Sequence, residues 1–223
     1  MLRTMEIGVL GATGPAGRGI AARLASVGHD VVAGSRDAAR SAKTVASLRE
    51  RWGDRVAALR SGTNDDAAAA ADAVIVATTW EAAVPTARAH AAALAGKVTV
   101  SMANGLERVG DEFRPVLTQS GSLAEAVQGA APEARVVAAF QHIPASAFGA
   151  LDRPVVGDVL TCSDDEEARA SVLGLVDDIP DLRGFDAGSL ANALGLEAFA
   201  ATLLTVNLRH GGRGALHLSG FDD

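Results

Sequence analysis

Cysteine is nearly absent from this sequence, since Cys162 is the single one among 223 residues. One cysteine cannot form an internal disulfide, which indicates a reducing compartment. No long apolar stretch precedes the first predicted strand, so no signal peptide is visible. By sequence, the apolar segments are too short, or too interrupted by glycine and polar residues, to span a membrane. We therefore expect a cytoplasmic protein.

Positive charge is also scarce, because 20 lysines and arginines face 27 aspartates and glutamates and the net charge is −7. This balance argues against nucleic acid or an anionic membrane as the main partner. The five histidines do not have the paired spacing that is seen at zinc sites. The sequence also lacks the nucleophile-elbow motif of a Ser-His-Asp hydrolase. We expect no metal ion.

The most informative stretch is the glycine-rich segment close to the N-terminus. The apolar run from Ile7 to Leu10 reads as a buried strand that stops at Gly11, and Gly14 and Gly17 follow at intervals of three. Pro15 suits the first position of a helix. Glycines at these positions permit a tight turn, let a phosphate approach the backbone and let the helix pack closely on the strand. The pattern predicts a dinucleotide-binding turn, although a plain strand-to-helix turn has the same form.

The end of the second predicted strand, at 30–34, indicates which dinucleotide is bound. An acidic residue there would hold a free ribose 2′-hydroxyl, whereas this chain has Ser35, Arg36 and, one helical turn on, Arg40. Asp37 is better placed to start the next helix. Two arginines and a serine near one ribose edge favour the 2′-phosphate of NADP.

Strand and helix patterns alternate along the rest of the chain. They predict an α/β fold with a Rossmann-type doubly wound, mostly parallel sheet and a small C-terminal α/β appendage ending in a long helix. We expect an NADP-binding domain at 1–150 and an appendage at 151–223. Further strands are expected at 55–59, 72–77, 97–101, 135–139, 155–162 and 183–185, and helices at 37–52 and 189–210. Another helix is expected to have Pro85 in about its first turn and to end at Gly96. Expected caps are Asn64 or Asp65, and capping boxes are expected at Ser122 with Glu125 and at Ser163 with Glu166.

Loops at the carboxyl ends of parallel strands bind the ligands of such folds. The loops expected to converge here are 11–17, 35–40, 78–80, 102–105 and 140–145. Trp80, in the third of them, could stack over a ligand ring or pack into the core.

Several of these segments together resemble the NADPH-dependent coenzyme F-420 reductases, which pass hydride between NADP and a deazaflavin. The resemblance covers nearly the whole chain. It rests on Gly11-Ala-Thr-Gly-Pro-Ala-Gly17, Gly34-Ser-Arg36, Thr79-Trp-Glu81, Ile143-Pro-Ala145 and the segment from Leu182 to Gly188.

The resemblance implies a site for each of the two substrates. The residues that would bind NADP are Gly11, Thr13, Gly14, Pro15 and Ala16 at the pyrophosphate, Ser35, Arg36 and Arg40 at the 2′-phosphate, and Trp80, Met102, Asn104 and Ala145 on the nicotinamide side. Gln141, His142, Ile143 and Pro144 would face the deazaflavin. Hydride transfer between two such carriers needs alignment rather than a protein acid or base, so no catalytic side chain is expected.

Three departures from the family pattern lie on the deazaflavin side. Glutamine stands at Gln141 where the family has histidine, the loop Met102 to Gly105 lacks a proline, and Leu194 replaces an arginine. Two alternatives therefore stay open: an NADP-dependent reductase acting on a flavin or a small carbonyl acceptor, and a non-enzymatic NADP-binding sensor. For His142, contact with a ligand and anchoring of a loop are both open.

The segment from Ser189 to His210 is apolar nearly all round. Such a helix is expected to be buried, either against the sheet domain or in a homodimer interface.

Overall fold

The structure, a computed structural model, describes residues 3–221. Within this range the chain forms an α/β fold, which confirms the predicted class. The strands are β1 (Glu6–Leu10), β2 (Asp30–Ser35), β3 (Leu59–Thr63), β4 (Ala73–Val76), β5 (Val98–Ser101), β6 (Leu106–Val109), β7 (Glu112–Pro115), β8 (Arg135–Ala138), β9 (Gly157–Thr161) and β10 (Leu182–Asp186). The helices are α1 (Pro15–Ser26), α2 (Ala38–Trp52), α3 (Asn64–Ala68), α4 (Trp80–Ala89), α5 (Ala91–Leu94), α6 (Leu123–Ala130), α7 (Ala145–Phe148), α8 (Glu166–Asp177) and α9 (Ala193–His210).

The main sheet is parallel and has the strand order β3-β2-β1-β4-β5-β8. The chain first moves outward from β1 to β3 and then returns to β4 on the other side. Two apolar cores cover the two faces, one containing Ile7 and Val9 and the other Leu10. The order reverses beside β1, and ligands of open α/β sheets bind at such a reversal.

The C-terminal part adds a parallel pair of strands, β9 and β10, outside the main sheet. An antiparallel bridge between Ala138 and Cys162 connects this part to β8. The antiparallel hairpin of β6 and β7 was not foreseen from the sequence. It packs on α9, where the Thr205 hydroxyl accepts a hydrogen bond from the Phe113 N–H at 2.8 Å.

Some predicted details are wrong. The segment expected as a strand at 55–59 begins as a 3₁₀ turn at Gly53–Val56, and the strand follows at Leu59–Thr63. Thr63, in a capping box with Asp66, caps α3, so neither Asn64 nor Asp65 does. Pro85 lies inside α4, not in its first turn.

The second predicted capping box is also wrong, whereas the first, at Ser122 and Glu125, is confirmed. Asp165 caps α8 by accepting a hydrogen bond from the Ala168 N–H. The Ser163 hydroxyl instead donates to the carbonyl of Val136 in β8 at 2.6 Å. The Ser163 hydroxyl therefore bonds to strand β8, whereas the sequence pattern predicts that it caps α8.

The segment Leu190–His210 is long and apolar enough, by length and composition, to cross a membrane, which corrects the expectation that every apolar segment is too short or interrupted. About 33% of its apolar window is buried within the structure. One such helix is weak evidence for a membrane span, because core helices of soluble proteins meet the same criterion.

Candidate functional site

The glycine-rich turn between β1 and α1 has the geometry that its sequence predicts. Gly11 has φ +81°, a conformation that side-chain-bearing residues rarely adopt. A Cβ on Gly17 would lie 2.6 Å from the Gly11 carbonyl oxygen, so the helix can approach the loop only because this residue is glycine. Gly14 precedes Pro15, and within residues 3–221 no side chain caps this helix. Its first N–H groups are therefore available to a phosphate.

A cleft of about 490 Å³ opens beside this turn at the end of β2. Its wall includes Gly11, Thr13, Gly14, Ser35, Arg36 and Arg40, all predicted to bind NADP. The side chains of Arg36 and Arg40 are exposed and make no hydrogen bond or ion pair with any other described residue. Asp37 caps α2, as the sequence predicts.

Asn64 belongs to the same cleft, and sequence reasoning missed this role. Its Oδ1 accepts a hydrogen bond from the Gly11 N–H at 3.3 Å, which fastens the glycine turn to the end of β3. A Cβ on Gly34 would lie 3.0 Å from the same oxygen. An asparagine directly after a parallel strand is the sequence signal that could have indicated it.

A neighbouring cleft of about 400 Å³ lies at the ends of β4 and β5. It brings together Trp80, Met102 and Asn104, which are expected on the nicotinamide side, and Ala16, which is expected at the pyrophosphate. Trp80 is half-buried: it lines this cleft and also packs against the core. Packing into the core is therefore realised in part, and stacking over a ligand ring stays a prediction.

A third, smaller cleft of about 190 Å³ lies between the end of β8 and α9. Gln141, His142, Ile143, Pro144 and Ala145 line one side. Ala200, Leu203, Leu204 and Asn207 of α9 line the other. Ala16, Met102 and Asn104 belong to this cleft as well, so it joins the preceding one at these three residues.

Phe140, at the entrance to this loop, has φ +69° although it is not glycine. Such a conformation costs on the order of 1–3 kcal/mol and persists where packing imposes it. The ring of Phe140 is buried edge-on against Phe148, with centroids 5.7 Å apart. Packing thus holds the backbone that aims Gln141 to Pro144 at the cleft.

Three residues that line this cleft have a buried hydrogen-bond acceptor. The Asn104 Nδ2 donates to the Gln141 carbonyl at 2.7 Å, and the Gln141 Nε2 donates to the Ser101 carbonyl at 2.9 Å. Because a carbonyl oxygen can only accept, these two hydrogen bonds identify the amide nitrogen of each side chain. The other terminal atom of each amide is therefore the oxygen. Within residues 3–221 the buried atoms Asn104 Oδ1, Gln141 Oε1 and His142 Nδ1 have no hydrogen-bond partner. Buried acceptors of this kind suit a ligand that carries N–H groups.

His142 anchors its loop. Its Nε2 donates to the Asp158 carbonyl at 2.6 Å, and burial lowers the pKa of the ring despite this bond. The imidazole is therefore neutral at pH 7, with its proton on Nε2 and a lone pair on Nδ1. The structure therefore shows the loop-anchoring alternative, and contact of Nδ1 with a ligand stays a prediction.

Asp158 is itself fixed by an ion pair with Arg183, with both oxygens at 2.8 Å from the guanidinium. Burial raises the pKa of Asp158, but Arg183 and the Leu218 N–H outweigh it and the net shift is downward. Within residues 3–221 no cluster of three or more histidine, cysteine, aspartate or glutamate side chains could hold a metal ion.

The reversal of strand order beside a glycine turn, with clefts on both sides of it, defines a Rossmann-type dinucleotide-binding protein. Residues 6–105 match the family described as NADP oxidoreductase, coenzyme F-420-dependent. The chain is 34% identical to the F-420-dependent NADP reductase of Methanocaldococcus jannaschii over 218 residues, which cover 94% of this chain and 96% of the relative. The corresponding enzyme of Methanothermobacter thermautotrophicus is 33% identical, with coverage of 95% and 93%.

A crystal structure from Arthrobacter sp. FB24, provisionally assigned as an F-420-dependent NADP reductase, aligns with a TM-score of 0.82. It is 27% identical and covers 97% of this chain and 100% of its own. The chain therefore belongs to the family of F-420-dependent NADP reductases, which confirms the resemblance seen in the sequence.

Proposed function

We propose that this protein transfers hydride directly between NADP(H) and coenzyme F-420. The observation that carries the proposal is the junction of the two clefts at Ala16, Met102 and Asn104. A nicotinamide ring in one cleft and a deazaflavin ring in the other would meet there. The relatives named F-420-dependent NADP reductases support the same pair of substrates.

NADP would lie across the carboxyl ends of the strands. Gly11, Thr13, Gly14, Pro15 and Ala16 would bind the pyrophosphate through main-chain N–H groups and the positive end of α1. Ser35, Arg36 and Arg40 would bind the 2′-phosphate, because unpaired guanidinium groups and a hydroxyl suit that dianion. The nicotinamide side would be lined by Trp80, Met102, Asn104 and Ala145.

The deazaflavin would occupy the cleft that Gln141, His142, Ile143 and Pro144 line, with α9 as its cover. Its ring N–H groups would meet the acceptor atoms of Asn104, Gln141 and His142. Residues 1–150 would then hold NADP, and residues 151–223 would close the second cleft.

The reaction needs no covalent bond to the protein, because both substrates are two-electron carriers. The hydride leaves one ring with both electrons and forms a C–H bond on the other. Reduction of the deazaflavin also takes up one proton at a ring nitrogen, which solvent supplies, so NADPH, oxidised F-420 and a proton give NADP and reduced F-420. The protein would hold the donor and acceptor carbons about 3–3.5 Å apart and exclude water. We propose no catalytic acid or base.

The test uses NADPH deuterated at the reactive carbon and oxidised coenzyme F-420. Loss of the deazaflavin absorbance with deuterium retained on the product supports direct transfer. Washout of the label into water, or no deazaflavin turnover in either direction, contradicts it. In that case the departures at Gln141, Met102 to Gly105 and Leu194 favour a flavin or small carbonyl acceptor, and NADPH binding without any turnover favours a sensor.

We also propose a cytoplasmic homodimer that acts on small molecules and has no nucleic-acid or membrane partner. Exposed apolar side chains of α9 support an interface, because Leu194, Phe199, Val206 and Leu208 are each 37–47% exposed. Light scattering at micromolar concentrations should give twice the mass of the chain. The mass of one chain would mean that α9 packs only on its own subunit.

A further inference from the structure

The chain after α9 returns to the strand pair of β9 and β10 along residues 215–221, here called the C-terminal strap. The Asp158 N–H of β9 donates a hydrogen bond to the Leu216 carbonyl at 2.9 Å. The Leu218 N–H in turn donates to the Asp158 carboxylate, although Leu218 lies 60 residues further along the chain. Asp158 therefore binds the strap through both its main chain and its side chain.

A single guanidinium group locks this contact. Arg183 of β10 donates to both carboxylate oxygens of Asp158 at 2.8 Å, and also to the carbonyls of Leu218 and Phe221 at 2.9 and 3.1 Å. The Asp158 side chain is 1% exposed, so water competes little for these bonds. Paired charge-assisted hydrogen bonds fix the geometry of their partners as well as stabilising them. Asp158 is therefore held in one position.

The main chain around Asp158 also contacts the loop that lines the cleft between β8 and α9. The Asp158 carbonyl accepts the hydrogen bond from the His142 Nε2 at 2.6 Å. At the preceding residue, a Cβ on Gly157 would lie 3.0 Å from the Ala215 Cβ and 3.5 Å from the Ile143 Cδ1. His142 and Ile143 both line the cleft. Two successive residues of β9 thus connect the C-terminal strap to the wall of the cleft.

We infer that Asp158 is a positioning residue, through which the C-terminal strap sets the shape of the cleft proposed for the deazaflavin. The ion pair with Arg183 and the bonds to the strap hold the Asp158 carbonyl in place, and this carbonyl fixes the His142 ring. The inference rests on the proposed function, since it concerns the binding of the second substrate. None of the described residues that line the NADP cleft comes from β9, β10 or the strap, so NADP should be unaffected.

Two variants of the full-length protein test the inference. Asp158→Asn keeps the size of the side chain and the main-chain carbonyl but removes the charge that binds Arg183. Arg183→Lys is milder, because it keeps the positive charge and loses the planar fork. The matched control is Asp165→Asn. Asp165 also forms a two-oxygen pair with an arginine, Arg135, at 2.6 and 2.7 Å, and it lines neither proposed substrate cleft.

Three measurements are compared across these variants. Steady-state kinetics give the KM for coenzyme F-420, and calorimetric titration gives the affinity for NADP. The ¹⁵N spectrum of the His142 ring, assigned by comparison with His142→Gln, reports directly on the bond from Nε2 to the Asp158 carbonyl. Melting curves record the loss of stability in each variant.

In Asp158→Asn the KM for coenzyme F-420 should rise about fivefold or more, because the bonds that hold the loop are charge-assisted. The His142 ring signals should shift, and the affinity for NADP should stay within about twofold of the wild type, because no lining residue of the NADP cleft depends on Asp158. Arg183→Lys should change the same quantities in the same direction by less. Asp165→Asn should lower the melting temperature without changing KM or the ring signals, which distinguishes positioning from a general loss of stability.

Unchanged KM and ring signals in both test variants would overturn the inference, and so would equal losses for NADP and coenzyme F-420. If Asp158→Asn does not fold, Arg183→Lys decides by the same criteria. The outcome is separable from the proposed reaction. Without turnover of coenzyme F-420 by the wild type, the reaction fails, while shifted His142 signals still support positioning of the loop. Turnover by the wild type with no change in either variant leaves the reaction standing and removes the positioning role.

Discussion

The side chain of Asn104 donates a hydrogen bond to the main-chain carbonyl of Gln141 at 2.7 Å. This contact joins the loop after β5 to the loop after β8, and it lies where the two substrate clefts meet. It fixes the distance between the nicotinamide side and the deazaflavin side of the proposed site.

Replacing Asn104→Ala should therefore weaken the alignment of the two rings. A buried carbonyl left without its donor costs about 1–3 kcal/mol, and the loop after β8 should loosen. We expect kcat for hydride transfer to fall at least tenfold. Asn192→Ala is the matched control, since Asn192 makes a similar bond to the Ala187 carbonyl at 2.7 Å outside the clefts. Equal kinetic losses in both variants would contradict a role in alignment.

The variant Arg36→Ala should separate NADP from NAD. A charge-assisted contact to phosphate contributes roughly 1.5–3 kcal/mol, so affinity for NADP should fall about tenfold or more. Affinity for NAD should hardly change. Calorimetric titration with both dinucleotides measures the contrast, with Arg88→Ala as the control. A parallel loss for NAD would mean that Arg36 does not bind the 2′-phosphate.

Substitution Gly17→Ala should disrupt the dinucleotide-binding turn, because the added methyl would lie 2.6 Å from the Gly11 carbonyl oxygen. Overpacking of this kind costs about 1–3 kcal/mol. Melting temperature should fall, and NADP should raise it less than in the wild-type protein. Gly174→Ala is the control, since its Cβ meets open space in α8 and a gain of about 0.5–1 kcal/mol is expected. A fully retained NADP effect in Gly17→Ala would argue against close packing at the turn.

Glu197 should make stability depend on pH. Its carboxylate accepts hydrogen bonds from the Leu123 and Ala124 N–H groups, at 2.7 and 3.0 Å, yet burial raises its pKa to about 7. Because the folded state holds the proton more tightly than the unfolded state, the free energy of unfolding should fall as pH rises from about 5 to 8. A shift from 4.5 to about 7 corresponds to at most about 3 kcal/mol.

Urea denaturation at several pH values tests this expectation. Glu197→Gln cannot ionise and should lose this part of the pH dependence, whereas the exposed Glu133→Gln should keep it. If the free energies of unfolding of the wild type and Glu197→Gln differ by the same amount from pH 5 to 8, the pKa of Glu197 is not raised. The two N–H groups would then outweigh the effect of burial on this pKa.

Local features of the site could be predicted from the sequence, because neighbours along the chain decide them. The glycine spacing from Gly11 to Gly17 dictates the turn whatever surrounds it, and Ser35, Arg36 and Arg40 follow β2 directly. Buried parallel strands have apolar runs that are readable without tertiary knowledge. The β6–β7 hairpin was missed because its charged side chains obscure the alternation of apolar and polar residues that indicates a strand. The hairpin is also held by a hydrogen bond from the Phe113 N–H to Thr205, which lies 92 residues further along the chain.

Contacts between distant segments were decided only by the tertiary structure. Ser163 could cap α8 by its sequence position, but the Val136 carbonyl of β8 takes its hydroxyl and Asp165 replaces it. Asn64 and Glu197 likewise depend on partners far away in the chain. By itself the sequence determined the parallel sheet, the phosphate-binding turn and the likeness to one family, because short-range patterns encode them. The tertiary structure decided which charges share a cavity, because proximity of arginines 18, 51, 153 and 213 arises only when α1, α2, α7 and the end of α9 pack together.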